Sequence, residues 1–176
     1  HSNTITMDNT HYISTELLSL ETLEEIISHG KQLALSEEAT VNIQKCRLYL
    51  DKKMASQPEA IYGINTGFGA LCNVKISNEN LSKLQENLVK SHACGIGEEA
   101  PLSVVKLMLL LKIQSLSYGH SGVQLQTVER LIELYNNDIL PVIYTQGSLG
   151  ASGDLAPLAH LSLPLLGEGE VYFEGK

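Results

Sequence analysis

Residues 147–160 read GSLGASGDLAPLAH, and the interpretation of the whole chain depends on this stretch. By composition it is a glycine-rich turn that enters a helix, which is an ordinary helix start. At its centre, however, Ala151, Ser152 and Gly153 have the composition that turns backbone into an electrophile. If the Gly153 amide nitrogen attacks the Ala151 carbonyl carbon, a five-membered ring closes, and loss of water from Ser152 leaves an exocyclic methylidene. Glycine permits the compressed backbone approach that ring closure requires.

A second glycine-rich stretch, IYGINTGFG, occupies residues 61–69. Its three glycines surround one Phe and one Tyr, which indicates a tightly turned loop that can hold the hydroxyl of Tyr62 over a pocket. The stretch is neither GxGxxG nor a P-loop, because no Gly-Lys-Ser/Thr follows, and phosphate binding is therefore not expected. The alternative interpretation is a buried Tyr62 in a glycine-rich connection.

The third stretch, LVKSHACGIG, covers residues 88–97. Leu81, Leu84, Leu88 and His92 are spaced by three, four and four residues, which predicts that His92 ends the apolar stripe of one helix and points inward. A single inward histidine is most often a core residue whose hydrogen bonds are satisfied. A ligand-binding role is the alternative.

The longer string GSLGASGDLAPLAHLSLPLLGEGE, residues 147–170, resembles the signature of the histidine, phenylalanine and tyrosine ammonia-lyase family. The resemblance implies a 4-methylideneimidazol-5-one (MIO) cofactor, formed autocatalytically from Ala151, Ser152 and Gly153, with no metal and no nucleotide. Asp154 would support formation of this ring, and it can also cap the helix that follows. The N-terminus of that helix would stabilise electron density that reaches the ring.

The same resemblance assigns roles to the other two stretches. Tyr62 matches the catalytic base of the family, although a free tyrosine titrates only near about pH 10, so the site must favour the phenolate. Gly69 and His92 match substrate-binding positions. The pair Ser91-His92 is similar to histidine lyases, whereas many phenylalanine lyases carry an apolar pair there, and His92 would hydrogen-bond the substrate imidazole.

The activity implied is a carbon–nitrogen lyase reaction that eliminates ammonia from L-histidine to give trans-urocanate. Tyrosine or phenylalanine ammonia-lyase and aminomutase remain alternatives, as does an inactive, uncyclised domain of purely structural role. Family proteins are longer, with a C-terminal helical bundle beyond the length seen here and a homotetrameric site built from several subunits. Residues 1–176 are therefore expected to be one N-terminal MIO-bearing domain that is inactive alone, with residues 1–10 a tag remnant or disordered.

Composition agrees with a soluble enzyme and the cysteine pattern with a reducing cytoplasm, while the resemblance implies a small amino acid as the substrate. The net charge of −8 and pI of about 5.2 argue against nucleic acid and anionic membrane as partners, because neither would be attracted. Cys46, Cys72 and Cys94 are far apart and form no CxxC pair, which suggests neither a zinc site nor a disulfide framework. No basic segment followed by an apolar run begins the chain, so no signal peptide is expected.

Helix signals dominate the chain, which predicts a mainly α fold with a few short strands. The resemblance specifies it as the N-terminal part of the fumarase/aspartase-like helical lyase fold. The helix after Pro101 is apolar nearly all round and is expected to be a buried central helix, too interrupted by Lys106 and Lys112 to cross a membrane. Six helices are predicted: from Ser19 to Gly30, from Ser36 to before Pro58, over about 77–92, from Pro101 to Leu116, over 123–135, and over 155–166 with a break near Pro164. A connection is predicted over 138–150 and a strand over 170–173.

Overall fold

The computed structural model describes residues 9–56, 59–67, 74–147, 153 and 155–176, with only the backbone of Asn78 and Glu79. These residues form a mainly α-helical fold with a few short strands, and this prediction is confirmed. In chain order the elements are β1 Thr10–Ile13, α1 Leu20–Ser28, β2 Gln32–Leu35, α2 Glu37–Ser56, α3 Asn78–His92, β3 Ile96–Glu99, α4 Leu102–Ser117, α5 Leu125–Asn136, β4 Leu140–Pro141, β5 Tyr144–Gln146, α6 Leu155–Ser162, a 3-10 helix Leu163–Leu166 and β6 Val171–Tyr172.

The chain divides into two compact units. The first contains the described residues of His1–Leu50 and Lys106–Leu140, and the second contains those of Asp51–Val105 and Pro141–Lys176. The sequence predicts a tag remnant or disorder over residues 1–10. Residues 1–8 lie outside the described part of the chain, and β1 begins at Thr10.

In the first unit, β1 and β2 pair in parallel, with α1 as the connection between them. The Ser19 side chain accepts a hydrogen bond from the Thr22 N–H at 3.1 Å, which confirms the predicted helix start. Gly30 follows the helix with φ +58°, a left-handed conformation that suits glycine. Ser36 begins α2 in the same way, through a bond from the Ala39 N–H at 3.1 Å.

The prediction that α4 is a buried central helix is only partly right. Leu109, Leu110 and Ile113 are fully buried in the first unit, but Leu111 is 46% exposed. Successive residues project about 100° apart around a helix, so neighbours in one apolar run cannot all face the same core. The helix ends at Ser117, two residues before Gly119, and a glycine is a common signal for the end of a helix.

The second unit holds α3, α6 and the remaining short strands. Two strands, β4 and β5, lie in the stretch predicted to be a plain connection, and β5 pairs antiparallel with β3. The sequence of β3, Ile-Gly-Glu-Glu, is exposed throughout and has no apolar alternation, so it offers no strand signal. At the other end of the unit, α6 stops at Ser162 and a 3-10 helix containing Pro164 follows, which confirms the predicted break.

β6 lies within the predicted terminal strand and pairs with β4. Among the helices that the structure describes, none has the length and apolar character needed to cross a membrane.

Candidate active site

Tyr62 lies in a tight turn whose backbone is held by a buried amide. The Asn65 side chain is 5% exposed; its Oδ1 accepts from the Ile61 N–H at 2.6 Å and its Nδ2 donates to the Glu59 carbonyl at 3.2 Å. Gly63, directly after Tyr62, has φ +75°. One side chain therefore binds the backbone on the N-terminal side of Tyr62, and glycine supplies the left-handed bend on the other.

The turn has a second buried polar residue, Thr66, which is fully buried. Its Oγ1 accepts from the Gly63 N–H at 3.3 Å and donates to the Gly67 carbonyl at 2.9 Å. The Tyr62 side chain itself is 63% exposed. The alternative of a buried core tyrosine is therefore wrong, and the structure instead presents an aromatic side chain on a fixed backbone.

His92 is the last residue of α3, and its ring is oriented by its own helix. Nδ1 lies 2.7 Å from the Leu88 carbonyl oxygen, and Ser91 Oγ donates to the same carbonyl at 2.9 Å. A carbonyl oxygen can only accept, so Nδ1 of the neutral ring carries the proton. Nε2 is then an acceptor, which suits a ligand that offers an N–H or O–H.

A cavity of about 460 Å³ brings Tyr62 and His92 together. Leu88 and Val89 of α3 line it beside His92, and α6 contributes four further residues, Leu155, Leu158, Ala159 and Ser162. The Ser162 hydroxyl already donates to the Leu158 carbonyl at 2.9 Å. The lining is thus mainly apolar, with polar groups from Tyr62, His92 and Ser162, which is the general character of a small-molecule site.

The other predicted site residues are placed less completely. Gly69, Ala151, Ser152 and Asp154 lie outside the described residues. Gly153 has φ +70° and comes two residues before Leu155, so its Cα is within about 7 Å of the Cα of a residue that lines the cavity. The Ala-Ser-Gly segment therefore leads directly into the helix that forms one wall.

Three polar residues near the cavity were not predicted. Asn65 and Thr66 hold the Tyr62 turn, and an Asn within a glycine-rich loop is a turn signal that could have identified the first. The third is His160 on α6, whose Nε2 accepts from the Gly95 N–H at 2.8 Å. Nothing local in the sequence marks this bond, since its partners are 65 residues apart.

Outside the cavity, the C-terminal half of α3 carries an ion-pair cluster. Lys90 contacts Glu86 and Glu168, each at 2.7 Å. Hydrogen bonds to these two carboxylates raise the pKa of Lys90 above its ordinary value, and Lys90 lowers the pKa of Glu86. The groups are exposed, so the cluster contributes little to stability.

The chain is similar to known proteins in sequence and in fold. Two curated histidine ammonia-lyases, from Deinococcus radiodurans and from Legionella pneumophila strain Paris, are 49% and 50% identical to the chain over 159 residues, which is 90% of its length. A crystal structure of histidine ammonia-lyase from Trypanosoma cruzi superposes with a TM-score of 0.82 and 32% identity, covering 95% of the chain and 32% of the solved one.

The chain spans about a third of the length of these relatives, 30% and 31% for the two curated proteins. The family model for aromatic amino acid lyases matches residues 18–176, nearly the whole chain. By this match and by the identity to its relatives, the chain belongs to the aromatic amino acid lyase family.

Proposed function

We propose that the full-length protein eliminates ammonia from L-histidine to give trans-urocanate. The family match and the relatives named histidine ammonia-lyase support this activity. The observation that carries the proposal is the shared cavity of Tyr62 and His92, in which a candidate base and an acceptor for the substrate ring both line one mainly apolar cavity.

The proposal includes an MIO group formed from Ala151, Ser152 and Gly153. Two observations support this group: Gly153 comes two residues before Leu155, which lines the cavity, and among the described residues no atom lies within 4 Å of where a Cβ on Gly153 would be. When formed, this group supplies the electrophile that makes the substrate amine a better leaving group. The N-terminus of α6 begins at Leu155, and its partial positive charge favours electron density at that end of the cavity.

His92 would recognise the substrate ring. Its Nε2 is an acceptor, so it can take the N–H of an imidazole, while Leu88, Leu158 and Ala159 contact the apolar faces. A site built to hydrogen-bond a polar ring rejects an apolar analogue strongly, because the polar group of the site is left unpaired. Phenylalanine should accordingly be a poor substrate.

Tyr62 would act as the base that takes a proton from the substrate β-carbon. The C–H bond breaks, its electron pair forms the new carbon–carbon double bond as ammonia leaves, and the proton moves to the Tyr62 phenolate oxygen. Because Asn65 and Thr66 fix the turn, the hydroxyl can be held over one face of the substrate without being buried. Placing the base in advance removes much of the entropic part of the barrier.

A tyrosine ammonia-lyase or aminomutase is the second candidate. The phenol O–H of tyrosine is also a donor, so His92 Nε2 accepts it as readily as it accepts an imidazole N–H. The curated relatives that are 49% and 50% identical to the chain are histidine ammonia-lyases, and this favours histidine as the substrate.

The decisive experiment measures urocanate, coumarate and cinnamate formation side by side, with Ser152→Ala as the matched control. We expect urocanate to dominate for the full-length protein, and Ser152→Ala to release no ammonia while it remains folded, because the methylidene carbon comes from the Ser152 side chain. Intact mass should be lower than the sequence mass by two water molecules. If coumarate dominates, the substrate is tyrosine and not histidine. If Ser152→Ala turns over as fast as the parent, the MIO proposal is wrong.

We also propose that the full-length protein is a homotetramer, as the family resemblance implies. Val41, Leu48 and Tyr49 of α2 are each more than half exposed, and spacings of seven and eight residues place them on one helix face. An apolar face of this kind suits a subunit contact. Sedimentation velocity on the full-length protein should give a tetramer, and a monomer would contradict the proposal.

A further inference from the structure

His160 of α6 accepts a hydrogen bond from the backbone of Gly95. Its Nε2 takes the Gly95 N–H at 2.8 Å, and its ring packs edge-to-face on Tyr144 with centroids 5.5 Å apart. An accepting nitrogen carries no proton, so the ring is neutral with its proton on Nδ1. Burial lowers the pKa of His160, which favours the same neutral form.

The backbone at Gly95 approaches His160 too closely for any side chain. A Cβ on Gly95 would lie 2.8 Å from His160 Nε2, and one on Gly147 would lie 2.9 Å from the Cys94 carbonyl oxygen. The backbone of Cys94 and Gly95 therefore lies in close contact with both α6 and residue 147. Movement of either neighbour would be transmitted to this backbone.

Only two residues separate Gly95 from His92, and both are held. Ala93, with φ −78° and ψ 64°, is the centre of an inverse γ-turn in which the Cys94 N–H donates to the His92 carbonyl at 2.9 Å. The Ala93 N–H donates to the Val89 carbonyl at 3.1 Å. The end of α3 is thus tied through three consecutive N–H groups, of residues 93, 94 and 95, and the last of them is bound by α6.

We infer that His160 is a positioning residue for His92: by accepting the Gly95 N–H it fixes the C-terminal end of α3 against α6, and so sets the place of the His92 ring in the cavity that Leu158 and Ser162 also line. This inference rests on the proposed function, in which His92 binds the substrate ring. One helix, α6, then supplies both residues that line the cavity and the bond that places the recognition group in it.

The test uses a pair of variants that differ in one property. His160→Gln keeps an accepting atom at nearly the position of Nε2, whereas His160→Met has similar length and no comparable acceptor. Both are made in full-length Ser152→Ala protein, so that L-histidine and L-phenylalanine can bind without turnover. The readouts are the dissociation constants of the two amino acids by calorimetry and the midpoint of thermal unfolding.

We expect His160→Met to weaken L-histidine binding by roughly tenfold, the effect of losing about one oriented hydrogen bond, and to leave L-phenylalanine binding within about threefold. His160→Gln should bind L-histidine like the parent. If both amino acids weaken equally in His160→Met, along with the unfolding midpoint, His160 is only structural and the inference is overturned. Equal behaviour of the Met and Gln variants would overturn it as well. Failure of the parent to bind L-histidine would instead remove the proposed function, and the inference with it.

Discussion

Single residues in the cavity are held in two different ways. The His92 ring is fixed directly, by a hydrogen bond from Nδ1 to its own helix. Tyr62 is fixed indirectly, because Asn65 and Gly63 hold its backbone while 63% of the residue remains exposed. A change in the tyrosine hydroxyl should therefore affect chemistry and leave packing intact.

Tyr62→Phe removes only that hydroxyl. We expect kcat for urocanate formation to fall by about 10² to 10⁴, the range for loss of a general base, with an unchanged thermal unfolding midpoint. Tyr12→Phe is the matched control, since Tyr12 is also more than half exposed and lies outside the cavity, and its kcat should equal that of the parent. Near-normal activity of Tyr62→Phe would give Tyr62 a packing role instead.

At the scale of elements, the turn at residues 61–66 depends on polar groups inside it. Asn65 binds Ile61 and Glu59 through one carboxamide, and Thr66 binds Gly63 and Gly67 through one hydroxyl. Both side chains are buried, so removal of either would cost the turn its hydrogen bonds from that side chain. The turn is therefore held by two residues that do not line the cavity.

Asn65→Ala leaves the Ile61 N–H and the Glu59 carbonyl without these partners. We expect the free energy of unfolding to fall by about 1–3 kcal/mol and kcat to fall with it, because Tyr62 loses its fixed backbone. Asn80→Ala serves as control: Asn80 is exposed, and its loss should change stability by less than about 0.5 kcal/mol. Urea titration and urocanate assays measure both effects. A kcat equal to that of the parent would show that the turn does not place Tyr62.

For the whole molecule, each of the two units contains a histidine whose pKa lies below its ordinary value. In the first unit, burial lowers the pKa of His11, with a further contribution from Lys31 that Glu25 opposes. In the second, burial lowers the pKa of His160. Both rings are therefore more easily protonated in the unfolded chain than in the folded one.

Folding stability should depend on pH accordingly. Above about pH 6.5 these histidines are mainly neutral in both the folded and the unfolded chain, and their contribution to the free energy of unfolding is fully present. As the pH falls through the lower pKa of the folded form, the unfolded chain has bound more protons, and stability is lost. Urea midpoints measured at pH 7.5, 6.5 and 5.5 should fall in that order. The double variant His11→Gln and His160→Gln should show a flatter dependence, and a slope identical to the parent would contradict this origin.

Several elements could be predicted because their signals are local. Ser19 begins α1, Gly119 follows the end of α4, and Pro164 coincides with the break after α6, since capping, left-handed backbone and the missing proline N–H act within a few residues. The pairing of β3 with β5 could not be predicted, because it joins exposed residues that lack an apolar period.

The sequence by itself determined the family and most helix boundaries, and it predicted the Ala151-Ser152-Gly153 chemistry that the family implies, because all of these are written in contiguous residues. Only the tertiary structure decided that Tyr62 and His92 share one cavity with α6 and that His160 binds Gly95. The cavity and the His160 bond join residues far apart along the chain, and they form only when α3 packs against α6. No residue period or local motif encodes such contacts, because they depend on how whole elements pack.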